Sequence, residues 1–231
     1  MLSCDGETAI VDAGTPQCEE DLLSYLQSQN IGKPKYIFAT HPHHIGSMAA
    51  VVDTFGCENF IMPEMVSYTR TFENMLSSVE QAGCQTAYGV AGDTFTLGDA
   101  QLKLLWPTEG FDASDPNEIS LVLQVTYGEY SFLLTGDAGK DAEEGFLSQV
   151  QPVTVLKAGH HGSNTSSTEA FLQKAQPEYV VISVGAGNSY GHPSPAMLER
   201  LDENCQVLRT DEKGSIVFTV KEGELHVSTA R

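Results

Sequence analysis

The sequence predicts an α/β fold in which two packed sheets carry helices on their outer faces. Three observations carry that expectation. Short apolar runs alternate with amphipathic stretches along the whole 231-residue chain. The middle of the chain is instead β-rich, its runs separated by Gly, Asp and Pro. Six of the seven histidines fall in loops that follow apolar, strand-like runs. In layered α/β folds the loops beyond strand ends share a rim, and ligands gather there.

The elements follow in order. Thr8–Val11 reads as a strand closed by Asp12-Ala13-Gly14. Residues 17–29 read as a helix with acids in its first turn, where negative charge favours the N-terminus. Residues 36–39 and Phe60–Met62 read as strands, the second ended by Pro63. Ser47–Phe55 and Ser67–Ala82 read as helices, the latter stopped by Gly83. Thr94–Leu97, Gln101–Trp106, Ser120–Thr126 and Ser131–Leu134 are strands, with Tyr127-Gly128-Glu129 turning a hairpin. Lys140–Gln149, Thr168–Ala175 and Ser194–Asp202 are predicted helices. Val153–Lys157, Tyr179–Val184, Val207–Leu208, Ser215–Val220 and Leu225–Val227 are predicted strands. No linker or short-period repeat interrupts this pattern, so the expectation is one domain over residues 1–231 with two related halves.

Composition narrows the function. The net charge is −19, from 12 basic and 31 acidic residues. Such a field repels polyanions over about 8 Å at physiological salt, which argues against broad non-specific nucleic-acid binding. A local cation, above all a metal, still captures a single phosphate. The five cysteines are odd in number and contain no C-x-x-C pair, so free thiols are expected rather than a disulfide framework or a cysteine zinc site. No apolar run approaches the roughly 18 residues of a membrane span, and the N-terminal segment reads as a strand rather than a signal peptide.

The chemistry sits in the strand-end loops. His41, His43 and His44 follow the strand at 36–39. His160 and His161 follow the strand at 153–157, and His192 follows the strand at 179–184. Asp137 ends Thr135-Gly136-Asp137 after another strand. Imidazoles with a carboxylate suit zinc, with manganese or iron as alternatives, and two histidines at i and i+2 can face one ion. Such an ion makes its water acidic enough to attack at neutral pH. His226, alone, reads as a plain core or surface residue.

These loops resemble a known family. Thr40-His41-Pro42-His43, His44-Ile45-Gly46-Ser47 and Leu133-Leu134-Thr135-Gly136-Asp137 are similar to the metallo-β-lactamase fold. Leu156-Lys157-Ala158-Gly159-His160-His161-Gly162-Ser163, Asn117-Glu118-Ile119-Ser120 and Asn188-Ser189-Tyr190-Gly191-His192-Pro193 resemble the hydrolase-like domain of the DNA-uptake protein ComEC and its soluble relatives, as does Arg209-Thr210-Asp211. The resemblance implies an αββα four-layer sandwich and metal-dependent hydrolysis of phosphodiesters by activated water. Zn2+ (one or two ions, with Mn2+ an alternative) is the implied cofactor, and the implied partner is a phosphodiester such as single-stranded DNA. The location implied is cytoplasmic or at the cell surface. His41, His43, His44, Asp137 and His192 are the implied metal ligands. Asp137, His160 and His161 are the implied catalytic groups, and Lys157, Ser163 and Asn188 the implied substrate contacts. Asp12 is expected to cap backbone amides or hold a ligand histidine. Asn117 falls near a position where relatives place a further histidine.

Two departures stand out. The family pattern H-x-H-x-D-H is shortened here to H-P-H-H, without its Asp. Two residues of extended chain span roughly 6 to 7 Å, so His44 is expected to be displaced and the second metal site weakened. The relatives' opening strand and Gly-rich turn are expected to be missing, as in a truncated chain. The readings are therefore an active phosphodiesterase, an impaired relative with at most one metal, and a non-enzymatic binding module. Acyl or lactam hydrolysis ranks behind them.

Overall fold

A computed structural model describes all 231 residues, which gather into two compact units, Met1–Leu121 and Val122–Arg231. In the first unit the chain runs β1 (Leu2–Cys4), β2 (Glu7–Val11), α1 (Glu19–Ser28), β3 (Tyr36–Phe38), α2 (Met48–Phe55), β4 (Asn59–Met62), α3 (Arg70–Gln81), β5 (Gln85–Tyr88), β6 (Thr94–Leu97) and β7 (Ala100–Trp106). Strands β1 to β5 lie side by side in sequence order. β1 is antiparallel to β2, and β2 through β5 are parallel. Parallel neighbours joined by helices put the ends of β2, β3 and β4 at one edge, which is where Asp12, the histidine loop and Pro63 emerge.

The core explains the order. Ile10, Ile37 and Phe60 pack with Leu26 of α1, Met48, Val51 and Val52 of α2, and Phe72, Met75 and Val79 of α3. Side chains alternate across a strand, so Phe38 turns the other way and meets Phe95 of β6 edge to face at 5.4 Å. The β6–β7 hairpin turns at Gly98-Asp99, and its tip is tied to the β1–β2 hairpin. The Gly98 amide donates to Glu7 (2.7 Å) and the Asp99 amide to Asp5 (3.1 Å).

The second unit runs β8 (Val122–Tyr127), β9 (Tyr130–Leu134), α4 (Lys140–Phe146), β10 (Val155–Lys157), α5 (Glu169–Ala175), β11 (Tyr179–Ile182), α6 (Pro195–Leu198), β12 (Gln206–Arg209), α7 (Thr210–Lys213), β13 (Ile216–Lys221) and β14 (Glu224–Thr229). Its sheet order is β12-β11-β10-β9-β8. β9 to β12 are parallel, and β8 pairs antiparallel with β9 through the expected turn at Gly128-Glu129. The β13–β14 hairpin packs through Phe218, whose ring meets Tyr179 at 5.5 Å and Phe132 at 6.0 Å. His226 lies exposed on that hairpin, an ordinary surface residue as expected.

Three expectations are corrected. An opening strand is present, because Asp5-Gly6, both at positive φ, turns β1 back onto β2. β5 was not expected; Gln85–Tyr88 is exposed along its whole length and so shows no apolar alternation. The helix expected over Ser194–Asp202 is regular only over Pro195–Leu198. Beyond it the amides of Arg200 and Leu201 bond three residues back, and Asp202 accepts from the Asn204 amide in a tight turn.

Candidate metal centre

In the first unit the site begins where β2 ends. Asp12 adopts a left-handed φ of 61°, which Asp tolerates better than most residues. Its amide donates to the Phe38 carbonyl (2.9 Å), and the next amide, of Ala13, donates to the His44 carbonyl (2.9 Å). Gly46 then donates to the Gly14 carbonyl (2.8 Å), so the D-A-G segment pairs with the histidine loop. A Cβ at Gly46 would lie 2.5 Å from Pro16 Cδ and 2.6 Å from the Gly14 carbonyl oxygen. Only glycine permits that approach.

The loop itself is a 3-10 turn over Pro42–His44, started by a proline whose fixed φ suits it. The turn brings the His44 ring to 4.2 Å from that of His41, centroid to centroid, and the His43 ring to 5.4 Å. Despite the shortened loop, His44 thus lies beside His41 within this unit. A 3-10 turn advances only about 2 Å per residue, so the short loop is coiled rather than stretched. His41 and His44 are buried, while His43 is exposed.

Each imidazole is oriented by an oxygen at Nδ1. Asp12 Oδ2 accepts from His44 Nδ1 (3.1 Å) and also from the Thr40 hydroxyl (2.8 Å), while Oδ1 accepts from the Thr40 amide (2.8 Å). Having donated its proton to Asp12, the Thr40 oxygen accepts from His41 Nδ1 (3.0 Å). Asn117 Oδ1 accepts from His43 Nδ1 (3.1 Å). An acceptor at Nδ1 selects the tautomer with its proton there and its lone pair on Nε2, the form a metal requires. Burial alone would raise the Asp12 carboxyl, but the hydrogen bond from His44, the adjacent His44 and His41 rings and the Thr40 amide together hold it below the ordinary carboxylate range. Asp12 does both things expected of it: it caps an amide and holds a histidine.

In the second unit β9 runs into Thr135-Gly136-Asp137, and β10 into the His160-His161 turn. The two loops are cross-tied. Thr135 Oγ1 donates to the Lys157 carbonyl (2.8 Å), and Lys157 Nζ donates to the Gly136 (2.9 Å) and Ala158 (3.3 Å) carbonyls. His160 and His161 both take left-handed backbone, φ 46° and 55°, a costly choice for two consecutive non-glycine residues. His161 Nδ1 donates to the Ser183 carbonyl (2.7 Å), which puts the lone pair on Nε2, 3.5 Å from Asp137 Oδ2. Two electron-rich atoms facing each other so closely favour a proton or a cation between them. Asp137 itself is buried.

His192 is carried on a loop held by Asn188, which accepts from the His192 amide (3.1 Å) and donates to the His192 carbonyl (2.7 Å). Its Nδ1 is buried without a hydrogen-bond partner. Burial, and secondarily the neighbouring His160, lower its pKa below that of an ordinary histidine, only partly offset by Asp137. That favours the neutral imidazole, the form that ligates a metal. The His160 ring lies 5.7 Å from that of His192. Thr210 ties the same loop back, its hydroxyl accepting from the Val184 amide (2.7 Å), beside the Arg209–Asp211 ion pair (2.6 Å).

The three expected substrate contacts are engaged within the loops: Lys157 on backbone carbonyls, Ser163 with Thr165 (3.0 Å), and Asn188 on the His192 backbone. Sequence reasoning missed Thr40 as the orienter of His41, although it directly precedes that histidine. It also missed Arg200, which donates to the Ser166 (3.0 Å) and Ser167 (3.3 Å) carbonyls and pairs with Asn164, bracing the loop after Ser163. Nothing in the sequence signals that contact across 34 residues. The donor chemistry of each unit taken by itself fits a metal ion: His41 and His44 lie buried side by side in the first, and Asp137 is buried in the second.

Comparison with known proteins agrees. The family model described as "Metallo-beta-lactamase superfamily" matches residues 4–186. ComE operon protein 3 of Bacillus subtilis is 31% identical over 208 residues, covering 88% of this chain and 27% of that protein. Recombination protein 2 of Haemophilus influenzae is 27% identical over 238 residues, covering 100% of this chain and 28% of that protein. The chain thus spans little more than a quarter of the length of either. Among solved structures, a point mutant of CmlA beta-hydroxylase superposes with a TM-score of 0.51 at 11% identity, covering 77% of this chain and 43% of that one, a likeness of fold alone. With its matched residues, its α/β sheets and its oriented histidines, this chain belongs to the metallo-β-lactamase superfamily, in the ComEC-like branch its loops resemble.

Proposed function

We propose that this chain is a metal-dependent hydrolase of phosphodiesters, both units acting as one catalytic domain, with zinc or manganese as the ion. The observation that carries the reading is the set of three imidazoles, each anchored through Nδ1 so that Nε2 bears the lone pair. His41, His43, His44, Asp137 and His192 would hold the ion or ions. A metal so held supplies Lewis acidity and an acidified water. The chain's own residues do the rest. Asp12 and Thr40 keep His41 and His44 from turning. His161, anchored on Ser183, holds Asp137 in place. His160, half-buried beside His192, gives a proton to the departing oxygen as the phosphorus–oxygen bond breaks. The ComEC-like relatives, one of them named a recombination protein, support nucleic acid as substrate. The net charge of −19 favours short or single-stranded pieces over duplex.

Hydrolysis of bis-p-nitrophenyl phosphate and of a single-stranded oligonucleotide, with zinc or manganese and with chelator, tests the reading. Metal-dependent cleavage that chelation abolishes is expected. No cleavage under any metal overturns it, and binding that survives chelation would favour a non-enzymatic module. A one-metal, impaired relative is the second reading, favoured by the missing Asp of the H-P-H-H loop. About two zinc ions per chain by elemental analysis supports the first reading, and one or none the second.

A further inference from the structure

Tyr190 has no part in the chemistry above, yet it sits two residues from His192 with 82% of its surface exposed. An exposed tyrosine normally gains by folding onto nearby apolar surface. This one is held out. Its amide donates to Asn188 Oδ1 (3.2 Å), the same oxygen that accepts from the His192 amide (3.1 Å). Asn188 Nδ2 closes the loop on the Gly185 (3.1 Å) and His192 (2.7 Å) carbonyls. The tyrosine ring lies nearly parallel to the His192 ring, 22° between planes and 5.9 Å between centroids. One side of the ring is thus braced along a ligand histidine, and the rest is open to solvent.

We propose that Tyr190 is a stacking platform for the base of the nucleotide whose phosphate enters the site, an inference that rests on the phosphodiesterase reading. The chain's charge points the same way. A chain at −19 gains little from phosphate contacts, so its hold on a nucleic acid must come from contacts the acidic field does not oppose. The face of a base is neutral, and stacking on an aromatic side chain tolerates any sequence. A base on Tyr190 would seat the adjoining phosphate beside His192 and His160.

The test compares oligothymidylate with an oligonucleotide of the same length whose sugars carry no bases. Cleavage is followed with metal, and binding by fluorescence anisotropy in chelator. Tyr190→Ala is expected to raise KM and Kd for oligothymidylate about tenfold, to change kcat little, and to leave the base-free strand unaffected. Tyr190→Phe, which keeps the ring, is expected to behave as the parent. Equal handling of both strands by the parent, or equal effects of Tyr190→Ala on both, would overturn the platform while leaving phosphodiester hydrolysis standing. Cleavage and binding of neither strand would overturn both proposals.

Discussion

The two histidine-bearing regions solve one problem in opposite ways. In the first unit His41, His43 and His44 are oriented by side chains, and two of the three converge on one half-buried carboxylate, Asp12, through relaxed contacts of 2.8 to 3.1 Å. In the second unit His160 and His161 stand on strained left-handed backbone, are half-exposed, and draw orientation from a main-chain carbonyl and a hydroxyl. His192 has one buried nitrogen with no partner. The first region is pre-organised by its own hydrogen bonds. The second carries strain and an unmet polar atom that a bound ion would relieve, so metal binding should be coupled more strongly to order there.

The contrast breaks hardest at the proposed ligands. His41→Ala and Asp137→Asn are each expected to cut hydrolysis roughly a thousandfold or more, as removal of one member of a catalytic unit does. Elemental analysis should show zinc lost with it, while far-ultraviolet circular dichroism stays native. Asp12→Asn makes the first region resemble the second, because an amide cannot accept from His44 and Thr40 at once with full charge. Metal affinity is expected to fall about 10- to 100-fold, read by competition with a chromogenic chelator. The same variant has a pH signature. A carboxyl held below its ordinary pKa lends stability that is present above about pH 4 and is lost as pH falls through its lower folded value. Urea unfolding of Asp12→Asn should therefore depend less on pH in the acid range than that of the parent.

Gly46→Ala tests the packing behind the first region. The new methyl would meet Pro16 and the Gly14 carbonyl below 3 Å, and a loss of about 1–3 kcal/mol in unfolding free energy is expected. His192 tests the second region. Burial lowers its pKa, so the folded protein resists protonating it, and that contribution to stability is present above the usual histidine value and lost as pH falls below it. Its imidazole resonances should titrate with a midpoint below 6.5. The smallest effect belongs to His160→Gly, where relief of left-handed strain offsets the lost contacts and stability should change by about 1 kcal/mol or less.

Much of this was legible in the sequence, for identifiable reasons. Strands such as Tyr36–Phe38 and Val155–Lys157 are short apolar runs closed by polar loops, and a histidine after such a run has few structural reasons to be there. Asp12 was legible from its place in the turn after a strand. The path of the H-P-H-H loop was not, because counting residues as extended chain ignores a proline-started 3-10 turn. β1 and β5 escaped notice because three residues, or four exposed ones, carry no periodicity. The resemblance marks Lys157, Ser163 and Asn188 as substrate contacts, and the structure adds what the sequence did not signal: each also bonds loop backbone or a neighbouring hydroxyl.

The central claim is that the first region is set for a metal before any metal arrives. Nitrogen-15 correlation spectra of the histidine rings in chelator-treated protein test it directly. The account predicts His41, His43 and His44 as Nδ1-protonated tautomers, with the Nε2 signals of His41 and His44 moving when zinc is added. Protons on Nε2 instead, or rings indifferent to zinc, would contradict it.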